Sequence, residues 1–307
     1  MHTKEHFRVT VRLVCFGLLL TATVFRLAYE LHSGVLTKLL QPEPKQQTQQ
    51  QEEQSYPTLF YTPPTERTSP VFSQEDSVSV LNWSGAQIDT IALLMQPTDF
   101  TLSEGPLVLI IHTHATEAYS ETEGYRTTDT TQSVVRVGQA LAERLNQNGI
   151  HTLHDTTLID RSGYTDSYER AAEIIEAYLQ EYPSIQMVID LHRDAVTDEN
   201  GTQLPLTASI GGEEAAQMLL VMGTDTAGLH HPNWQENLAF ALKLQALCQQ
   251  EAAGSFRDLN LRAERYNQHL TPHSILLEVG TAGNTLQQAI TSAEFFADRL
   301  TELILGA

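Results

Sequence analysis

Three short segments of this 307-residue chain combine residue types that bind divalent metals and move protons. The first is His112-Thr113-His114-Ala115-Thr116-Glu117, the second His192-Arg193-Asp194, and the third Glu278 inside Ser274–Val279 (SILLEV). A catalytic zinc takes three protein ligands and leaves a fourth position for water. Two histidines and one glutamate would supply that shell. A further glutamate outside it could take the water's proton, and Glu278 is placed for it. Each piece has a plainer reading. A histidine after a strand is commonly a loop residue, and Glu117 could simply favour a helix N-terminus. Asp190 and Asp194 flank His192 and could orient an imidazole or stand in solvent. Glu278 resists such an account, because a carboxylate within an apolar run must be desolvated or lie near a positive partner. The only cysteines are Cys15 and Cys248, so there is neither a disulfide framework nor a cysteine zinc cluster. A tightly held metal must use His and carboxylates.

These segments need elements to bring them together, and the pattern supplies them. Leu107–Ile111 (LVLII), Gln186–Leu191 (QMVIDL), Ala216–Gly223 (AQMLLVMG) and Ser274–Val279 are short, continuous apolar runs, as buried strands are. Ile150–Leu153 begins another. Helical spacing predicts helices over Ser133–Asn148, stopped by Gly149, and over Ser167–Tyr182, stopped by Pro183. It predicts others over Asn233–Ala252 and, as two stretches, over Thr285–Leu305. Strands alternating with helices imply a doubly wound α/β fold: a mostly parallel sheet with flanking helices. Ligands bind such sheets at the carboxyl ends of the strands, which is where the metal-capable residues fall.

Composition narrows the classes. Net charge is −20, which argues against nucleic-acid binding. Residues 1–30 nevertheless carry a balance of +2, and between Arg12 and Arg26 the run Leu13–Phe25 has no charge. Thirteen helical residues rise only about 20 Å, short of a bilayer's roughly 30 Å core, but snorkelling arginines extend the span to Val9–Tyr29. An uncleaved membrane anchor leads, with a cleaved signal peptide and a core helix as the alternatives. The basic residues favour a cytoplasmic N-terminus, which places the rest outside the cell membrane in a single-pass topology. The expected organisation is an anchor with flanks over 1–40, then a disordered Gln/Pro-rich linker over 41–76. An adapter over 77–104 and a catalytic domain over 105–307 follow.

The segments LIIHTHATEAY, MVIDLHRDA, VMGTDTAGLHHPNWQENLAFALKL and RYNQHLTPHSILLEVGTAGNT, with the N-terminal anchor and tether, resemble the stage II sporulation protein P family across 77–307. That family is related to zinc-dependent N-acetylmuramoyl-L-alanine amidases, and IDLHRDA and LLEVGTAGN resemble the relatives' His-x-Asp-Ala and Glu-x-Gly-x-x-x-Asn segments. The resemblance implies an amidase-like fold and hydrolysis of the amide joining muramic acid to the stem peptide. It also implies endopeptidase activity on cross-links, and work beside stage II sporulation proteins D and M in engulfment of the forespore. Peptidoglycan is then the substrate and one Zn2+ the cofactor. Carried over residue by residue, His192, Glu117 and His112 are the metal ligands and Glu278 the general base. His112 ranks ahead of His114 because it directly follows the strand, which leaves His114 for substrate or for orienting a ligand. The relatives' Pro-Gly-His-Gly-Gly turn is missing here, so His112 and His114 stay open.

Arg193 and Asp194 are further candidates for substrate or ligand support. The stretch Gly223–Asn237 (GTDTAGLHHPNWQEN) offers His231, Asn233 and Trp234 as residues that grip glycan or peptide, or, more plainly, a capped helix start with Trp234 packed on the core. Two rivals remain. Metal-dependent β/α barrels need about 250 residues, more than this body holds. A non-catalytic wall-binding scaffold could keep the fold, although intact His192 and Glu278 speak against it.

Overall fold

Continuous apolar runs and well-marked helix ends account for most of the observed elements. The structure, a computed structural model, describes Phe72 and residues 78–306. In chain order these hold β1 (Val80–Asn82), α1 (Thr90–Leu94), β2 (Val108–Ile111), α2 (Val134–Gln147), β3 (Thr152–His154), α3 (Ser167–Glu181) and β4 (Met187–Asp194). The hairpin β5 (Thr207–Ile210) and β6 (Glu213–Ala216) follows, then β7 (Met218–Gly223), α4 (Trp234–Glu251), β8 (Leu259–Arg262), β9 (Ile275–Thr281) and α5 (Leu286–Leu305). Ser133 caps α2 by accepting a hydrogen bond from the Val135 amide, and Gly149 takes the left-handed turn (φ 86°) after it. Thr285 and Gln288 form a capping box at the start of α5. That helix runs unbroken where two stretches were expected. The hydroxyls of Thr291 and Ser292 bond back to the Gln287 and Gln288 carbonyls, so these polar residues sit inside the helix without ending it.

The main sheet has the order β1-β8-β7-β9-β4-β2-β3. All pairings are parallel except β7 with β9, so the mostly parallel α/β sheet carries one antiparallel junction. The expected adapter is built into this sheet: β1 pairs with β8, and Leu93, Leu94 and Phe100 join the main core. The anchor and linker readings fall outside the described residues. Among the described residues no helix is long and apolar enough to cross a membrane.

Pleating sorts each strand onto two faces. Val108 and Ile110, Met187 to Leu191 at odd numbers, Met218 to Met222 at even numbers, Leu259 and Leu261, and Ile275 to Val279 at odd numbers all enter one core beneath α2, α4 and α5. Each such side chain contributes about 1.5–3 kcal/mol by leaving water. The opposite face is covered unequally. Helix α3 packs Ala171 and Ile175 over Leu109, Ile111 and Val188. Beyond it, Leu219, Val221 and Leu276 form a small apolar cluster with Tyr266 packed against it, and they floor a cleft. The helix-poor half of that face is where the chemistry collects.

Candidate metal centre

Register delivers two of the residues as neighbours. His192 of β4 lies opposite Glu278 of β9, and both point to the cleft face together with Asp190 and Leu276. The third contribution comes from the loop after β2. Its chain turns at residues 113–116, which carries His114 and Glu117 over the edge onto the same side. One ligand atom from each of His114, Glu117 and His192 lies within 4.8 Å of the others, and all of these residues are buried. The Nδ1 atoms of His114 and His192 stand 3.6 and 3.3 Å from the Glu117 carboxylate. Among the described residues this is the one grouping of three or more such residues able to hold a metal ion.

His112, ranked first from sequence, is not in this group. It follows the parity of Val108 and Ile110, so its ring enters the opposite face of the sheet. There Nδ1 donates to the Leu191 carbonyl at 2.8 Å and Nε2 meets His154 Nε2 at 2.8 Å. Burial pushes its pKa down to about 4. A neutral ring suits that pair, in which one nitrogen donates and the other accepts. Gly138 of α2 makes the room: a Cβ there would fall 2.5 Å from the His112 ring. His114 takes the place beside Glu117 because the strand ends at Ile111 and alternation ends with it.

The cluster is braced on every side. Asp190 Oδ1 is 2.9 Å from His192 Nε2, leaving Nδ1 to face Glu117. Asp190 is itself held by the amide and hydroxyl of Thr113, at 2.8 and 2.6 Å. Burial opposes a charged His192 ring, but Asp190 and Glu117 outweigh it and hold the pKa well above the ordinary value. Burial likewise opposes the charge on Glu117, yet the two imidazoles keep its carboxyl well below the usual carboxylate range. Arg193 contributes its amide to Glu117 Oε2 at 3.3 Å and ties the loop down through the Ala118 and Tyr125 carbonyls. Tyr164 stacks on the His114 ring at 4.2 Å, and Tyr168 meets it edge-on at 5.6 Å. Arg126, paired with Asp160, lies over Tyr164.

Glu278 completes the picture. Its Oε2 is buried with no hydrogen-bond partner, beside the cluster but outside it. Burial pushes its pKa up to about 8; His192 works against this and the Glu117 carboxylate adds to it. The surrounding cleft encloses about 490 Å³. Asp194 reaches its wall and pairs with Arg257 at 2.8 Å. His231, Asn233 and Trp234 are not brought to it. Asn233 sits at the start of α4, Trp234 packs against the main core, and His231 is buried near His269. Residues not foreseen are Tyr164 and Tyr168, together with Asn260 and Arg262 of β8, all lining the cleft; Tyr266, from the Arg265–Gln268 segment that the sequence offers as a weaker substrate-gripping candidate, lines it too.

A model of the family described as stage II sporulation protein P matches residues 31–301. Stage II sporulation protein P of Bacillus subtilis (strain 168) is 26% identical over 255 residues, covering 78% of this chain and 61% of the relative, so the chain spans less than two thirds of that protein's length. Among solved structures, the N-acetylmuramoyl-L-alanine amidase AmiC2 of Nostoc punctiforme aligns with a TM-score of 0.39 at 14% identity, covering 64% of this chain and 97% of that one. The catalytic domain of the amidase CwlV from Bacillus (Paenibacillus) polymyxa var. colistinus aligns at 0.36 and 13%, covering 64% and 97%. With the family model spanning most of its length, the chain belongs to the stage II sporulation protein P family.

Proposed function

We propose that this chain is a zinc-dependent peptidoglycan hydrolase, an N-acetylmuramoyl-L-alanine amidase acting in septal wall degradation and forespore engulfment. The family supports the sporulation setting. The observation that carries the chemistry is the unpartnered, buried Oε2 of Glu278 next to His114, Glu117 and His192. The donor set fits zinc: two imidazoles and one carboxylate leave a position open, and His114 Nε2 is buried without a partner. A bound zinc ion would polarise the scissile carbonyl and acidify water.

The remaining work falls to the chain. Asp190 fixes the His192 ring so that Nδ1 faces the centre, and Arg193 holds Glu117 in place. Glu278 is available to take a proton from water in the cleft and return it to the leaving alanine nitrogen. Its raised pKa without a metal leaves it largely protonated at neutrality; a nearby dication favours the charged form a base requires. Residues 9–29 would anchor the chain with its N-terminus in the cytoplasm and the catalytic domain outside. Stage II sporulation proteins D and M would be its partners.

Digestion of purified sacculi tests the reaction. New L-alanine amino termini without new reducing ends mean amidase, and cut cross-links in the mass spectrum would add endopeptidase activity. Glu278→Gln should lower turnover by about 10²–10⁴-fold while zinc stays stoichiometric. Zinc lost from that variant would make Glu278 a ligand, and intact sacculi with the parent protein would reject the reaction.

A further inference from the structure

The cleft extends well past the metal-side residues, and its far end has its own polar groups. Asn260 and Arg262 are two apart on β8, so both side chains point to the cleft face, and both line it. Their polar groups lack partners. Asn260 Oδ1 is buried with no hydrogen bond. Among the described residues the Arg262 guanidinium makes no hydrogen bond or ion pair, whereas Arg126, Arg193 and Arg257, nearby, are all engaged with carboxylates or carbonyls. A free cation facing a cleft is notable in a chain of net charge −20.

Position adds to this. Val221 pairs with Asn260 on one side and with Leu276 on the other, and Gly223 pairs with Arg262. Arg262 therefore lies two strands across and about four residues along from Glu278, roughly 16 Å between Cα atoms. An extended peptide covers that in about five residues or fewer once side-chain reach is counted. The floor between is Leu219, Val221 and Leu276, all apolar. We infer that Asn260 and Arg262 form a specificity subsite for a carboxylate on the peptide side of the substrate, a few residues from the bond that is cut. The guanidinium fork matches a carboxylate in two parallel hydrogen bonds, and the buried Asn260 Oδ1 needs an N–H donor, which a peptide backbone has. Glu117 and Glu278 in the same cleft disfavour a more highly charged anion such as a phosphate.

This subsite rests on the reading that the metal-side residues cut an amide, and the test separates the two. The probes are an N-acylated acidic peptide and its counterpart with the carboxylate converted to a carboxamide, each titrated into the full chain calorimetrically and each assayed for amine release. The parent protein should bind the acid about tenfold more tightly. Arg262→Gln should erase that preference and raise KM for the acid about tenfold with kcat little changed, leaving the amide form unaffected; Arg262→Lys should restore part of it. Equal loss on both peptides, or a preference that survives Arg262→Gln, overturns the subsite. Preference in binding without any cleavage would uphold the subsite and reject the hydrolase.

Discussion

The two faces of the central sheet are built on opposite terms. One lies under α2, α4 and α5 and is apolar almost without interruption. The other carries α3 over part of its width and leaves the rest to Asp190, His192, Glu278, Asn260 and Arg262 among a few aliphatic residues. The same strands serve both, because successive residues alternate between them. Stability is therefore concentrated on one side and unsatisfied polar chemistry on the other, with one residue step between. The covered face is lined by apolar strand residues; the open face is made of charges that have been brought together and not fully paired.

Substitutions can break that division. On the open face His192→Ala should remove both zinc and activity, read by metal analysis and sacculus digestion; activity that survived would refute its assignment. On the covered face, truncating the neighbouring strand at Leu277→Ala should cost about 2–5 kcal/mol in denaturant unfolding, while a chain kept folded retains zinc stoichiometry. A smaller effect is expected of Asp190→Asn: the His192 ring loses its carboxylate brace, and zinc affinity should fall about 10–100-fold in competition titrations. His112→Ala sharpens the comparison most directly, since it lies two residues from His114 yet on the other face. It should cost about 1–3 kcal/mol by orphaning the Leu191 carbonyl and His154, with zinc still bound; loss of zinc equal to that of His114→Ala would return His112 to the centre.

A pH dependence is expected as well. In metal-free protein the Glu278 carboxyl keeps its proton to about pH 8, against an ordinary value of 4.5. Between those values the folded state binds more protons than the unfolded one, so stability falls as pH rises through the window. Glu278→Gln should flatten that fall, by up to about 4 kcal/mol between pH 5 and 8.5 in urea unfolding. A parallel pH profile for both proteins would show that the carboxyl is not held protonated.

The covered face was legible because burial writes continuous apolar runs and helix ends write caps. Ser133, Gly149 and Thr285 mark boundaries within a residue or two of where they lie. His192 and Glu278 were legible for a related reason: polar residues in apolar runs must be accounted for. The choice between His112 and His114 was not, since it depends on where β2 stops and the chain turns, and an H-x-H pair reads the same either way. The β5–β6 hairpin was missed because Glu213 and Glu214 are exposed and give no apolar pattern. Strand β8 has only four residues, and its Asn260 and Arg262 gained meaning only when β7 and β9 brought them to the same cleft. Tyr164 and Tyr168 precede and open α3, where nothing local distinguishes a ring stacked on an imidazole from one exposed to water.

The single antiparallel pairing between β7 and β9 sets two opposite rims for this groove. The carboxyl ends of β4 and β9 finish at one, and those of β7 and β8 at the other. An all-parallel sheet would crowd every strand terminus at a single mouth, suited to a small, compact guest. Here a long guest could lie lengthwise, with the proposed bond breaking at its head and the proposed selection at its tail.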